Sequence, residues 1–226
     1  MASVLFKVWN TVYKTLLKGE NKMIKKIVKF INEEGFEFKF EPVESTLKIV
    51  KTRTGYEARY LIYDTNADNP MENQDGMGVF YHWKNNGTFE YNKYCELLGY
   101  DTETREQTSK AHPDAVKIDK YEHSGIAYSV SGEGMQCQWD TSSGWTVWYP
   151  DNCLIEELKD LKGVARRKKC IEFARQACEL FNSWVNGECY CLVKETYTKN
   201  KQQIDNDTCG GYFGFEEAFK ALQTDI

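Results

Sequence analysis

The stretch Tyr121–Tyr149, YEHSGIAYSVSGEGMQCQWDTSSGWTVWY, decides the fold. It sets His123, Cys137 and Asp140 among glycines and aromatic residues, and two readings compete for it. In the first, a thiol nucleophile works with a neighbouring base. A reactive cysteine needs a positive neighbour or a helix N-terminus to favour its thiolate, and neither is legible here. In the second, the stretch is the tightly turned centre of an antiparallel sheet. Gly132, Gly134 and Gly144 suit turns that need positive φ. Trp139, Trp145, Trp148 and Tyr149 are natural strand residues. The second reading predicts strands over 116–121, 126–130 and 144–149; the first makes His123, Cys137 and Asp140, with His82, the candidate catalytic residues.

The same period of two runs upstream. FEFKF (36–40), TLKIV (46–50), YEARYLIY (56–63) and GVFYHW (78–83) alternate or run apolar and are rich in β-formers. Downstream, GECYCLVKETY (187–197) reads as a strand, with Ile204–Phe213 as its partner. Helical spacing governs the rest. Ile171, Ala174, Ala177, Cys178, Phe181, Trp184 and Val185 form one apolar stripe over 165–185. Shorter helices are expected near 91–98 and 153–162, and over Phe215–Leu222. At the N-terminus, residues 3–18 and 20–33 carry two amphipathic patterns separated by Gly19, a helical hairpin stopped at Gly35. Strands that cluster in sequence, with few helices between them, predict an α+β fold. Its central sheet is mostly antiparallel, with helices packed on it. The expected division is an N-terminal extension over 1–55 and a core domain over 56–226.

The charge is uneven. The net charge is −5, yet residues 1–30 hold seven lysines and one acid, leaving −11 on the remainder. This basic arm, with Lys22, Lys25 and Lys26, is a candidate partner surface through which nucleic acid could bind. Arg166, Arg167, Lys168 and Lys169 open the long helix, where the macrodipole disfavours positive charge. That conflict makes them a second candidate partner surface.

Metal and redox chemistry have weaker support. Asp64, Asn66 and Asp68 alternate like the oxygen ligands of a calcium loop, with Asp75 at the twelfth position. The sixth position is Asn69 rather than glycine, and a strand precedes the loop. Eight cysteines lack any Cys-x-x-Cys pair, so zinc spacing is absent. Cys209–Gly214 is glycine-rich but lacks the Lys-Ser/Thr of a phosphate loop. No cofactor is expected. The first residues do not form a signal peptide and no apolar run is long enough to span a membrane. Reduced thiols in the cytoplasm are therefore the expectation.

One resemblance orders these segments. Tyr121-Glu122-His123-Ser124-Gly125-Ile126, Cys137-Gln138-Trp139-Asp140 and Gly144-Trp145 resemble motifs of a family of small uncharacterised proteins carried by bacteriophages and plasmids. Asn186-Gly187-Glu188-Cys189-Tyr190 and Thr208-Cys209-Gly210-Gly211-Tyr212-Phe213-Gly214 extend the likeness, which covers roughly residues 60–222. Glu122, Gln138 and Gly211 stand where the family has Asp, Pro and Trp-Gly. The resemblance implies a mobile-element protein acting inside a bacterial cell. The expected function is a non-enzymatic binder of a host protein or nucleoprotein complex, antagonising restriction or CRISPR defence. The alternatives are a small Cys/His- or metal-dependent hydrolase and a virion component.

Overall fold

The computed structural model describes residues 30–32, 34–73, 75–83 and 89–224. The chain divides into two units, Met1–Phe40 and Glu41–Ile226. In the first, β1 (Phe30–Ile31) pairs antiparallel with β2 (Glu37–Phe38). The Asn32 side chain accepts the N–H groups of Glu34 and Phe36, and Gly35 takes φ +82 in the turn. Short polar side chains build such turns by standing in for backbone acceptors. Gly35 thus closes a hairpin where a helix stop was expected. The helical hairpin predicted over 3–33 otherwise lies outside the described residues.

The second unit is α+β and antiparallel throughout. Its strands divide between two four-stranded sheets where one central sheet was expected. The first sheet joins β3 (Lys48–Lys51), β4 (Gly55–Tyr63), β9 (Cys189–Thr198) and β10 (Gln203–Phe213), in the order β10-β9-β4-β3. Residues 41–55, grouped with the N-terminal extension on sequence, fold with this unit because β3 pairs with β4. The second sheet joins β5 (Val79–His82), β6 (Val116–Glu122), β7 (Ile126–Val130) and β8 (Thr141–Tyr149), in the order β5-β8-β6-β7.

Five helices complete the unit: α1 (Pro70–Asn73), α2 (Phe89–Leu98), α3 (Asn152–Glu157), α4 (Gly163–Val185) and α5 (Phe215–Thr224). The second sheet is sandwiched. On one face α2 sets Tyr91, Tyr94, Leu97 and Leu98 against Val147 and Ala115. On the other, α4 lays Cys170, Phe173, Ala174, Ala177, Cys178 and Phe181 against Phe80, Ile118, Tyr128 and Trp148. This is the apolar stripe read from the sequence, now with its partner surface. Helix α5 covers part of the first sheet, burying Ala218 and Leu222 on Leu61, Tyr190 and Leu192. No helix among the described residues is long and apolar enough to cross a membrane.

Two polar devices join helices to sheet. Strand β7 is an edge strand, and its free backbone groups meet α4. Asn182 donates to Tyr128 O and accepts from Tyr128 N–H, at 2.9 and 2.7 Å. Asn186 does the same for Ile126, at 2.8 and 3.3 Å. Residues four apart on a helix face and two apart on a strand edge point the same way, so two amides serve as a short substitute strand. At the other end, Asp151 caps α3 through Leu154 N–H at 3.0 Å, and its second oxygen accepts from Gly76 and Gly78.

Candidate functional site

The connection from β7 to β8 passes the β6–β7 turn and brings Cys137 and Asp140 to His123. Asp140 Oδ2 lies 3.3 Å from His123 Nδ1 and accepts from Cys137 Sγ–H, also at 3.3 Å. The backbone fixes each position. Glu122 N–H donates to Asp140 O at 2.9 Å, which ties the end of β6 to the start of β8. His123 N–H donates to Gly125 O across the β6–β7 turn. The Thr141 hydroxyl accepts from Cys137 N–H at 2.9 Å and donates to Met135 O at 2.8 Å, while Thr141 N–H donates to Cys137 O.

Beneath this turn lies Asp119, a residue with no part in the sequence reading. It is 2% exposed, and its two oxygens are filled. Oδ1 accepts from Gly144 N–H at 2.8 Å and from Ser143 at 3.2 Å; Oδ2 accepts from Gly132 N–H at 3.0 Å and from Gln136 at 3.4 Å. Burial alone would raise its pKa. The donors, led by Gly144 N–H, outweigh burial and hold the carboxyl below the usual aspartate range. Arg175 on α4 grips Glu133 through two bonds of 2.6 and 2.7 Å and anchors the same loop from outside.

The chemistry of the trio follows from its order. In a thiol nucleophile the imidazole stands between the sulfur and the carboxylate, taking the proton from one while the other orients it. Here the carboxylate stands in the middle. The sulfur's hydrogen-bond partner is the carboxylate, and the imidazole meets that carboxylate rather than the sulfur. His123 has its side chain 66% exposed and opens to solvent. His82 stands apart on β5: burial lowers its pKa, and its charged neighbours are Glu90 and Lys120.

The most accessible groups at the turn are apolar. Trp139 is 87% exposed and Met135 is 66% exposed. Trp139 was read as a strand residue with Trp145, Trp148 and Tyr149. Trp148 is fully buried, whereas Trp139 lies outside the strands and projects into water. Its neighbours Cys137, Asp140 and Thr141 bond to one another, while the indole stays in solvent.

The other candidate residues are placed as follows. Asp64, Asn66 and Asp68 follow β4 and, with Gly211 and Phe213, line a cavity of about 310 Å³. Asp64 accepts from Asn66 N–H at 3.1 Å, and Asn69 accepts from Met71 N–H at 3.0 Å to start α1, so the alternation builds a turn and a cap. Asp75 is exposed and does not line that cavity. Among the described residues no group of three or more His, Cys, Asp or Glu side chains is placed to hold a metal ion. All eight cysteines are free. Burial pushes the thiols of Cys170 and Cys191 up to about 11 and that of Cys178 up to about 12, which keeps them protonated and inert.

Arg166 and Arg167 are engaged inside the molecule. Arg166 forms a two-pronged pair with Asp114, at 2.8 and 2.7 Å, and donates to Leu158 O at 2.6 Å. Arg167 donates to Pro113 O and Ala115 O. The buried Asp114 supplies the negative charge that the helix N-terminus lacks in its own first turn, so these arginines lock α4 to the loop before β6. Lys169 pairs with Glu172 at 3.0 Å, and Lys168 is exposed. Lys22, Lys25 and Lys26 lie outside the described residues. Compared with known proteins, the chain matches no family model, no curated protein and no solved structure.

Proposed function

We propose that the protein acts by binding a macromolecular partner through the Met135–Asp140 turn, as a mobile-element accessory protein that antagonises host restriction or CRISPR defence. The observation that carries the binding reading is Trp139, 87% exposed on a turn pinned by Thr141 and Asp119. A tryptophan has only two side-chain torsions to fix when covered, and tryptophan is enriched among the residues that carry interface energy. The mobile-element setting rests on the motif resemblance. The test is to express the chain in bacteria carrying a restriction or CRISPR system and to measure transformation by a targeted plasmid. Protection by the native chain, lost in a folded Trp139→Ala variant, is the expected result. A native chain that protects against neither system ends the antagonist reading.

The convergence of His123, Cys137 and Asp140 supports a second reading, a thiol hydrolase. Cys137→Ser separates the two: a binder keeps its protective effect, and a thiol enzyme loses it.

A further inference from the structure

The two sheets have four edges, and three are blunted. Strand β3 has only four residues and carries Lys48 and Lys51 at its ends. Strand β5 also has four residues. Strand β7 is covered by the Asn182 and Asn186 amides. Short edges, edge lysines and covering groups are the usual ways in which proteins keep foreign strands away. Among the described residues, strand β10 lacks all three. It runs for 11 residues, Gln203–Gly211 are all exposed, and it contains neither lysine nor proline. Irregularities at Gln203/Asp205 and Cys209/Tyr212 bound a straight run of five residues, Asp205–Cys209.

The ladder shows which backbone groups of that run face outward. Asp64 N–H donates to Cys189 O at 2.8 Å, so Cys189 bonds toward β4. Alternation along an antiparallel strand then assigns Cys191, Val193 and Glu195 to β4, and Leu192, Lys194 and Thr196 to β10. Their partners Cys209, Asp207 and Asp205 bond inward. Asn206 and Thr208 point their N–H and C=O groups away from the sheet. Only Thr208 N–H has a substitute among the described residues, Asp207 Oδ1 at 2.9 Å, which an incoming strand displaces.

We infer that β10 is a docking edge for an extended, basic peptide segment of a partner protein, which adds as a fifth strand alongside Asp205–Cys209. The charge decides the occupant. Asp205 and Asp207 lie on one face of the strand, two residues apart, and the run holds no basic residue. A strand with lysine or arginine at alternate positions sets both cations opposite both acids. A second copy of β10 would oppose acid to acid. The exposed Ile204 adds apolar surface at the start of the edge. This inference is independent of the Met135–Asp140 turn.

The test uses a terminally blocked peptide of alternating lysine and threonine, with an alternating glutamate and threonine peptide as control. Amide exchange of the full chain is followed by NMR. The lysine peptide is expected to slow exchange at Asn206 and Thr208 by about tenfold, while the glutamate peptide leaves both amides unchanged. Asn206→Pro removes an outward N–H without touching the bonds to β9, and is expected to abolish the effect. Asp205→Lys with Asp207→Lys, which leaves the backbone intact, is expected to transfer the protection to the glutamate peptide. The inference is overturned by absence of protection at saturating lysine peptide, by equal protection from both peptides, or by protection that survives the charge reversal. Protection that needs no peptide and grows with protein concentration also overturns it, in favour of self-pairing.

Discussion

Asp119 and Asp140 serve the same loop in opposite ways. Asp119 is buried, and four groups from Gly132, Gln136, Ser143 and Gly144 converge on its oxygens. Asp140 has its side chain 29% exposed, and its acceptor oxygen meets a thiol and an imidazole. The first carboxylate replaces water for backbone groups that have no strand partner, so its charge is spent on holding shape. The second is fixed by its own main chain and keeps its side chain at the surface. The lesson is that an acid beside a histidine and a cysteine is not thereby catalytic, because the order of the groups decides their chemistry.

The largest expected effect breaks the structural member of the pair. Asp119→Ala removes the charged acceptor of the Gly132 and Gly144 N–H groups, and is expected to cost about 3 kcal/mol in denaturant unfolding. The acid limb of the stability curve gives the same answer. The Asp119 carboxyl is held below its ordinary value of 3.8, so its contribution is complete above that value and is lost as pH falls through the folded pKa. Asp114, lowered first by its bonds to Arg166, and Asp151, lowered by backbone donors against burial, act in the same direction. Unfolding followed from pH 7 into acid should therefore show a shallower loss in Asp119→Ala than in the native chain.

A middle effect is expected at the clamp between the two acids. Thr141→Val keeps the shape but removes the hydroxyl that joins Cys137 N–H to Met135 O. Thermal unfolding should report a loss of about 1 kcal/mol. The smallest effects fall on the exposed side. Asp140→Asn is expected to change stability by no more than about 0.5 kcal/mol, read by chemical denaturation. Trp139→Ala should alter stability by no more than about 0.5 kcal/mol, read by chemical denaturation, because the indole touches little. A loss at Trp139 as large as that at Asp119 would reverse the comparison.

Much of this arrangement is legible in the residues. The stripe from Ile171 to Val185 names the buried face of α4, and the alternation around 187–213 names the β9–β10 hairpin, because periodicity records which side of an element is dry. The same signal is blind to which partner dries it. Two sheets and one sheet have the same alternation, so the split could not be read. Trp139 and Trp148 are equivalent as residue types, yet one lies in an exposed turn and the other on the β8 face packed against α4. Asp119 escaped because its partners lie up to 25 residues away. The arginines at 166 and 167 looked free because their partners, Asp114 for one and the Pro113 and Ala115 carbonyls for the other, lie 52 or more residues away. His123, Cys137 and Asp140 stand out by residue type, but their order around Asp140 is not legible in the sequence.

The paired amides of α4 have one further consequence. A helix advances about 6.0 Å in four residues, and a strand about 6.7 Å in two. The two rulers therefore agree for one interval, slip by about 0.7 Å at each further one, and part company as the strand twists. Asn182 and Asn186 occupy the interval where the rulers coincide. One turn earlier on the helix stands Cys178, buried and apolar, where a third amide would overshoot its mark. The pair works as a vernier: both marks meet at a single setting of α4 along β7, and a helix displaced by one turn would keep only one of the two.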